Sequence, residues 1–489
     1  MRIWQKTLLA ALLAFFASTS NGAENGVLTA RFYESMFRNG HADVAELTLF
    51  FTGMPKGGDL HHHYTGSLYA ETYLDWVARK GWWINPCNFR IVKAKEEGNC
   101  ASITVQQLEA NNTQYRKLLD LWSDKDFSNY YHDQPPPDSN FFGTFGYFGT
   151  VSNEYMHEGL DILKQRALRE NVGYIETMLA RVPVSSQDYF KPDLANQLIG
   201  ELRAAKSQEE VDGLLDRIRS TLDGENGFHK KVDDYVSTLQ SIHQGIDSDR
   251  FLMRYQTYAS RGDNPLQVFT GLLAGFMVSR QSPLVVGVNI VGPENGIVAL
   301  EDYTLHMRMF NYLHRKYPEV HRALHAGELT LGMVEPRDLQ FHIREAVEIA
   351  HAQRIGHGVD LPQEWQAPQL LEELKKEKVA IEINLTSNQF ILGVQGSEHP
   401  YPIYAAYGIP LVISTDDSGV SRNNLSEEYM LLASRYHPSY AKIKEYVYDS
   451  IRYSFLPPAS RQAELKILDR RFAEFEKEMA DFSGRMKQK

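Results

Sequence analysis

Basic residues are too few and too scattered in this sequence to favour a nucleic-acid partner. The chain has 51 lysines and arginines against 62 aspartates and glutamates, a formal net charge of -11, and no basic run that could follow a phosphate backbone. With 43% hydrophobic and 23% charged residues, the composition also excludes disordered and collagen-like proteins. We expect a soluble globular protein with a large apolar core.

Long apolar runs are also missing, apart from one near the amino terminus. Arg2 and Lys6 precede an apolar run over residues 8–17, and small and polar residues follow it. This three-part pattern predicts a secretory signal peptide over residues 1–23. Because a transmembrane helix needs roughly 20 apolar residues, we expect no stable membrane insertion. The protein is predicted to be secreted or periplasmic.

Cysteine is scarce, with two residues in the whole chain. No Cys-x-x-Cys spacing is present, which disfavours a zinc site built from cysteines. Cys87 and Cys100 lie close together in a polar, aromatic segment. Since an exported chain meets an oxidising compartment, we predict that they form a disulfide, the alternative being two unrelated thiols.

Short apolar runs alternate with segments of helical period along most of the chain, which is typical of an α/β protein. No Gly-x-Gly-x-x-Gly follows the first run, so an open nucleotide-binding sheet is the less favoured alternative. Eight such strands predict a closed TIM (β/α)8 barrel. The eight runs lie at residues 59–63, 172–176, 251–255, 284–290, 323–326, 354–357, 379–384 and 410–415. Segments of helical period between them include residues 201–244, 302–316, 335–350 and 367–376.

The remaining segments define the predicted domain organisation. Residues 24–53 have the pattern of a helical extension, and residues 54–460 hold the barrel. Residues 70–140, rich in aromatics and proline, form a predicted insertion after the first strand. Residues 461–489 are expected to form a terminal helix and tail.

Histidines on the first strand indicate a metal site. His61 and His63 are two residues apart, so their side chains project from the same face of a strand. His325 and Asp416 stand at the ends of two later predicted strands and supply a third nitrogen and a carboxylate. Three imidazoles and a carboxylate suit Zn²⁺, with water in the remaining coordination position. We therefore predict one zinc ion per chain.

Three further polar residues at strand ends match the needs of a hydrolytic deamination. Glu328 is placed to protonate a ring nitrogen of the substrate, and His357 to orient and stabilise the attacking water. Asp417, next to the predicted ligand Asp416, is placed to hydrogen-bond the base.

The motifs that carry these residues resemble those of the adenosine deaminase family, within the metal-dependent hydrolase superfamily. They are Met54-Pro55-Lys56 with Asp59-Leu60-His61-His62-His63, His325-Ala326-Gly327-Glu328, Arg354-Ile355-Gly356-His357-Gly358 and Ser414-Thr415-Asp416-Asp417. Their order and spacing are similar to the family's throughout. The resemblance assigns the metal ligands, the proton-transferring Glu328, the catalytic His357 and the base-contacting Asp417 to the positions given above.

The resemblance also implies substrate contacts. Gly292 matches a family glycine whose backbone amide meets a purine ring nitrogen. Phe141, Phe142 and Phe145 lie where the family places apolar groups over the substrate, with core packing as the alternative role. The intracellular enzymes have Leu-Asp-Gly after the second metal histidine, with an aspartate that contacts the ribose. This chain has Tyr64-Thr65-Gly66 there, so Thr65 is the candidate contact.

The signal peptide, the helical extension and the cysteine-bearing insertion are similar to the secreted branch of the family, the adenosine deaminase-related growth factors or adenosine deaminase 2. In that branch the extension supports dimerisation, so a homodimer through residues 24–53 is expected. The predicted function is zinc-dependent hydrolysis of adenosine, and of 2′-deoxyadenosine, to the inosine product and ammonia outside the cytoplasm. Two alternatives are deamination of another 6-aminopurine, such as AMP, a modified adenosine or adenine, and an extracellular nucleoside-binding or signalling protein.

Overall fold

A computed structural model describes residues 22–125 and 135–486 of this chain. The predicted signal peptide at residues 1–23 therefore lies outside the described residues, except for its last two positions.

Eight parallel strands form at the eight apolar runs. Almost all of their residues are buried, as expected for strands that are covered on both faces. The strands are β1 Gly57–His63, β2 Val172–Met178, β3 Leu252–Ser260, β4 Val285–Val291, β5 Ala323–Ala326, β6 Arg354–His357, β7 Ala380–Ile383 and β8 Leu411–Ile413. The predicted α/β class with parallel strands is confirmed.

The strands are arranged in two four-stranded sheets, with the orders β1-β2-β3-β4 and β8-β7-β6-β5. Register shifts interrupt the first sheet within β1 and again where β3 meets β4. One isolated parallel bridge joins His62 of β1 to Asp416, and another joins Val288 of β4 to Arg322. These bridges bring the first strand beside the end of the last strand, and the fourth beside the start of the fifth.

Helices connect the strands, and several begin where the sequence supplies a capping residue. Ser207 and Glu210 form a capping box, and the Asn264 side chain accepts the backbone N–H of Gln267. The predicted segment over residues 335–350 is instead a 3-10 turn, Pro336–Leu339, followed by a short helix, His342–Glu348. The helices between β1 and β5 are Tyr64–Ser67, Ala70–Arg79, Val105–Glu109, Asn112–Leu121, Pro137–Phe148, Met156–Arg169, Pro192–Ala204, Gln208–Asp223, Asn226–Ile242, Pro265–Gln281, Ile297–Glu301 and Tyr303–Lys316. Those after β6 are Ala367–Glu377, Leu385–Leu392, Tyr401–Tyr407, Leu425–Tyr436, Tyr440–Arg452 and Pro458–Met486.

The amino-terminal extension packs on the terminal helix of the same chain. Residues 22–34 are helical. A short hairpin follows, in which the two-residue strands Phe37–Arg38 and His41–Ala42 pair antiparallel, and it leads to the helix Val44–Gly53. The rings of Phe50 and Phe475 lie 5.1 Å apart, and Thr29 donates a hydrogen bond to the backbone carbonyl of Glu476. The terminal helix begins at Pro458, three residues before the predicted boundary, because proline is favoured in the first turn of a helix.

The segment predicted as an insertion contains more regular structure than its composition suggested. Besides three helices it holds an antiparallel pair of two-residue strands, Trp83–Ile84 with Ile91–Val92. The predicted disulfide between Cys87 and Cys100 is confirmed, with the two Cα atoms 5.7 Å apart. The helix Pro137–Phe148 crosses the predicted end of the insertion at residue 140. Within the described ranges, no helix combines the length and apolar character needed to cross a membrane.

Candidate active site

Four of the parallel strands bring the predicted ligands and catalytic groups together at their carboxyl ends. β1 carries His61 and His63, β5 carries His325, β6 ends at His357, and Asp416 follows β8. In a parallel α/β fold this edge is where active sites form. Nε2 of His63 lies 3.2 Å from Nε2 of His325 and 3.3 Å from Oδ1 of Asp416. All these side chains are buried except His63, which keeps 15% of its side chain exposed.

The arrangement of donor atoms fits a divalent metal ion. Within the described residues, Nε2 of His61 and Oδ1 of Asp416 have no hydrogen-bond partner, although both are buried and lie 3.5 Å apart. Buried polar atoms without partners are costly, so converging ones indicate a bound ligand. The ligand atoms of His61, His63 and Asp416 form one group within 4.8 Å, and His325 joins His61 in a second group. Burial lowers the pKa of His61, but Asp416 and Glu382 outweigh it and raise this pKa to about 10. The same two carboxylates would also favour a metal cation bound at Nε2 of His61.

Outer hydrogen bonds orient three of the four predicted ligands. Nδ1 of His61 donates to Oε2 of Glu382 at 2.6 Å, which leaves Nε2 free to bind a metal. Nδ1 of His325 is 3.0 Å from Oδ1 of Asn289. Ser387 donates to Oδ2 of Asp416 at 2.7 Å. Glu382, Asn289 and Ser387 were not identified from the sequence, because each is a single polar residue with no motif of its own.

A buried ion triad stands behind His61. The Arg354 guanidinium donates to Glu382 and to Glu176, each at 2.6 Å, and all three side chains are at most 1% exposed. Glu176 in turn accepts the backbone N–H of Phe455 and the hydroxyl of Tyr174. The triad therefore ties the ligand His61 to β2, β6 and β7.

Glu328 and His357 lie beside the predicted metal ligands. Oε1 of Glu328 is 3.5 Å from Nε2 of His357, and that nitrogen is 3.8 Å from Oδ2 of Asp416. Burial, followed by repulsion from Asp416, raises the pKa of Glu328 well above its ordinary value, which favours the protonated form of its carboxyl. Burial lowers the pKa of His357 to about 3, and the Asn388 amide donates to its Nδ1. His357 is therefore neutral, with its N–H at Nε2.

Backbone geometry at the site is unusual in two places. His357 and Asp416 have φ values of 71° and 60°, in the left-handed region that residues other than glycine rarely adopt. Such conformations cluster at functional sites, where the surrounding structure enforces them.

A glycine is required at position 66 for a steric reason, because a Cβ atom on Gly66 would lie 1.4 Å from Oδ1 of Asp417.

A cavity of about 170 Å³ opens over the cluster, and we call it the inner cavity. Each predicted substrate contact lines it: Thr65, Phe142, Phe145, Gly292 and Asp417. Gly292 has a φ of 100°, which favours glycine at that position. Burial, then repulsion from Asp416, raises the pKa of Asp417, which favours the form of this carboxyl that can donate a hydrogen bond. Phe141, which belongs to the same predicted aromatic group, lines the cavity as well, whereas Tyr258 and Ile391 also line it and were not predicted as contacts.

Glu294 holds the loop that carries Glu328. Its carboxylate accepts the backbone N–H groups of Gly327 and Glu328 at 3.1 and 2.9 Å. His342 donates to the same carboxylate at 2.6 Å, and Arg261 lies 3.3 Å from it. Burial raises the pKa of Glu294, but Arg261 and His342 outweigh it and lower this pKa to about 2. Glu294 is therefore a charged positioning residue, which no sequence motif had indicated.

We expect Glu294→Gln to lower kcat roughly 10- to 100-fold with little change in KM, because an amide offers only one oxygen to the donors around it. Steady-state kinetics and zinc content check this expectation. Glu301→Gln, at an exposed glutamate nearby, is the matched control. A Glu294→Gln protein with the wild-type kcat would show that the loop is held by other contacts.

Comparison with known proteins gives matches over part of the chain. The family model described as Adenosine deaminase matches residues 240–470, a range that includes His325, Glu328, His357 and Asp416. An adenosine deaminase of Clostridium kluyveri is 26% identical over 240 residues, which are 46% of this chain and 65% of that protein. An N6-methyl-AMP deaminase of Bos taurus is 28% identical over 255 residues, 50% of this chain and 67% of that protein.

This chain therefore matches about two thirds of the length of each of these two curated relatives, 65% and 67%. Among solved structures, an amidohydrolase of Burkhoderia ambifaria with bound Zn superposes with a TM-score of 0.52 at 15% identity. The superposition covers 89% of this chain and 94% of that one, and it shows a shared fold. Residues 240–470 are thus similar to the family that the motifs indicated.

Proposed function

We propose that this chain, whose residues 240–470 match the adenosine deaminase family, is a zinc-dependent hydrolase that converts adenosine and 2′-deoxyadenosine to the corresponding inosine and ammonia. One observation carries the proposal. The buried carboxyl of Glu328, whose pKa is raised by its burial, lies beside a converging set of metal-ligand atoms in a cavity that is also lined by Gly292 and Asp417.

His61, His63, His325 and Asp416 would hold the ion, one per chain. When bound, zinc supplies a water whose pKa is lowered toward neutrality, which is the nucleophile that a purine C6 requires. Asp417 and the backbone of Gly292 orient the base, and the phenylalanines over the cavity exclude bulk water.

The protein groups handle the protons of the reaction. Glu328 transfers its proton to a ring nitrogen next to C6, which makes that carbon electrophilic. Water adds to C6, the neutral His357 stabilises the attacking oxygen through its Nε2–H, and the regenerated Glu328 carboxylate accepts a proton. Glu328 passes the proton that it took from the water to the 6-amino group, the C6–N bond breaks and ammonia leaves, and the remaining hydroxyl proton returns to Glu328 as C6 keeps the oxygen as a carbonyl.

We also propose that the eight strands close into a (β/α)8 barrel, which the bridges His62–Asp416 and Val288–Arg322 support. Export after removal of residues 1–23, membership of the secreted growth-factor branch and a homodimer through residues 24–53 are further proposals. The disulfide between Cys87 and Cys100 supports export, because such bonds persist in oxidising compartments.

A second candidate is a 6-aminopurine nucleotide as the substrate. This candidate is supported by the similarity to N6-methyl-AMP deaminases. The sequence identity and the aligned length are about the same for an N6-methyl-AMP deaminase as for an adenosine deaminase. Both candidates use the same zinc chemistry and differ only in the group that is carried on the purine.

Zinc removal tests the proposal. Dialysis against a chelator is expected to lower the conversion of adenosine to inosine by a factor on the order of 10² or more, since the bound zinc would lower the pKa of the attacking water. One equivalent of zinc should restore the rate. Absorbance of the purine follows the reaction, atomic absorption gives the zinc content, and protein dialysed without chelator is the control. Full activity in zinc-free protein would contradict the proposal.

A further inference from the structure

A second, larger cavity adjoins the inner cavity on the side of β2 and β3. We call it the outer cavity. It has a volume of about 600 Å³, and Thr65 and Tyr258 line both cavities. These two side chains form the boundary between the metal-ligand cluster and the outer cavity.

The inner cavity is too small for a whole nucleoside. Its volume of about 170 Å³ is below the roughly 300–1,000 Å³ of common small-molecule sites. If the proposed function holds, a purine base fills it with C6 at the cluster. The substituent on the purine must then extend past Thr65 and Tyr258 into the outer cavity.

The chemistry of the outer cavity suits an uncharged, hydroxylated group. Of the described residues that line it, only Arg181 and Asp263 are charged, and they pair with each other at 3.0 Å. Hydroxyls and amides make up much of the remaining wall, among them Ser185, Asn264 and Gln267. A sugar can exchange hydrogen bonds with such a wall.

Among the described residues of this wall, no free cation is available to a phosphate. To reach the Arg181 guanidinium, a phosphate would have to displace the Asp263 carboxylate or remain beside it at a cost in repulsion. The Asp263 side chain is 34% exposed, so this repulsion acts through partly solvated surroundings and weakens with added salt.

We propose that the outer cavity is a sugar subsite and that Asp263, held by Arg181, is its specificity-determining residue, which selects nucleosides over 5′-phosphorylated nucleotides. The inference rests on the proposed function and deepens it. Asp263 supplies a carboxylate to the sugar side of the site, where the first-strand loop of this chain has Thr65 in place of an aspartate.

Kinetics with adenosine, AMP, N6-methyl-AMP and adenine test the inference. Wild-type protein is expected to prefer adenosine to both nucleotides and to adenine by about tenfold or more in kcat/KM. Asp263→Asn should raise the ratio of AMP to adenosine by about tenfold or more, because it removes a negative charge and frees Arg181. Added salt should reduce the discrimination against AMP in the wild type and should no longer do so in Asp263→Asn.

The matched control is Glu335→Gln. Glu335 pairs with Arg337 at 3.2 Å on the exposed surface and lines neither cavity, so the substrate ratio should not change. A wild type that prefers AMP or N6-methyl-AMP, or an unchanged ratio in a folded Asp263→Asn protein, would overturn the inference while leaving 6-aminopurine deamination intact. Adenine turned over as fast as adenosine would also overturn it. Failure of all four substrates with zinc present would instead overturn the proposed function, and this inference with it.

Discussion

Glu328→Gln is expected to lower kcat for adenosine by roughly 10²- to 10⁴-fold, the usual contribution of a general acid. Glutamine preserves the shape and a hydrogen-bond donor but has no proton to transfer at neutral pH. The effect should be large because burial and Asp416 raise the pKa of the native carboxyl, which favours the proton-carrying form that a general acid needs.

The zinc content and the thermal midpoint of Glu328→Gln should stay at wild-type values, because Glu328 is outside the predicted ligand set. Glu335→Gln, an exposed glutamate seven positions further along the chain, controls for the substitution itself. If Glu328→Gln releases ammonia at near the wild-type rate, the proton must come from another group, and the mechanism proposed above is wrong.

Arg354→Met should have the largest effect on stability. The change leaves the Glu176 and Glu382 carboxylates buried without their shared cation, and loss of one partner from such a group costs about 3–5 kcal/mol. Denaturant unfolding measures this loss. Zinc affinity should also fall, by roughly 10- to 100-fold, because Glu382 would no longer be held against Nδ1 of His61.

Arg452→Met is the matched control for this prediction. Arg452 pairs with Asp449 at 2.9 Å but is 50% exposed, so its loss should change the unfolding free energy by less than about 1 kcal/mol. Combining Arg354→Met with Glu176→Gln and Glu382→Gln should recover part of the stability, because the unpaired charges are removed as well. A single Arg354→Met variant as stable as the control would show that the triad contributes little.

Local sequence pattern was sufficient for much of the architecture. All eight strands form at the predicted apolar runs, because a strand that is covered on both faces must be apolar along its length. The spacing of His61 and His63 predicted two ligands on one face, because residues two apart on a β-strand project from the same side. The break in the helix that was predicted over residues 335–350 was missed, since Pro336 in a first turn is compatible with a longer helix.

The groups that support the site could not be found in this way. Glu382 meets His61 across 321 positions, and Glu294 meets Glu328 across 34, with no motif at either end. A charged residue within a buried apolar run is the one available signal, and it is present at Glu176 and Glu382. It shows that a partner must exist but does not say which residue it is.

The sequence by itself determined the strand order along the chain, the disulfide and the residue types that chemistry of this kind requires, because these depend on local pattern and on covalent order. The tertiary structure decided which atoms converge without hydrogen-bond partners, which carboxyls have a raised pKa and which charges line the outer cavity. Those properties arise from burial and from distances between segments that are remote in the chain, and no local pattern encodes either of them.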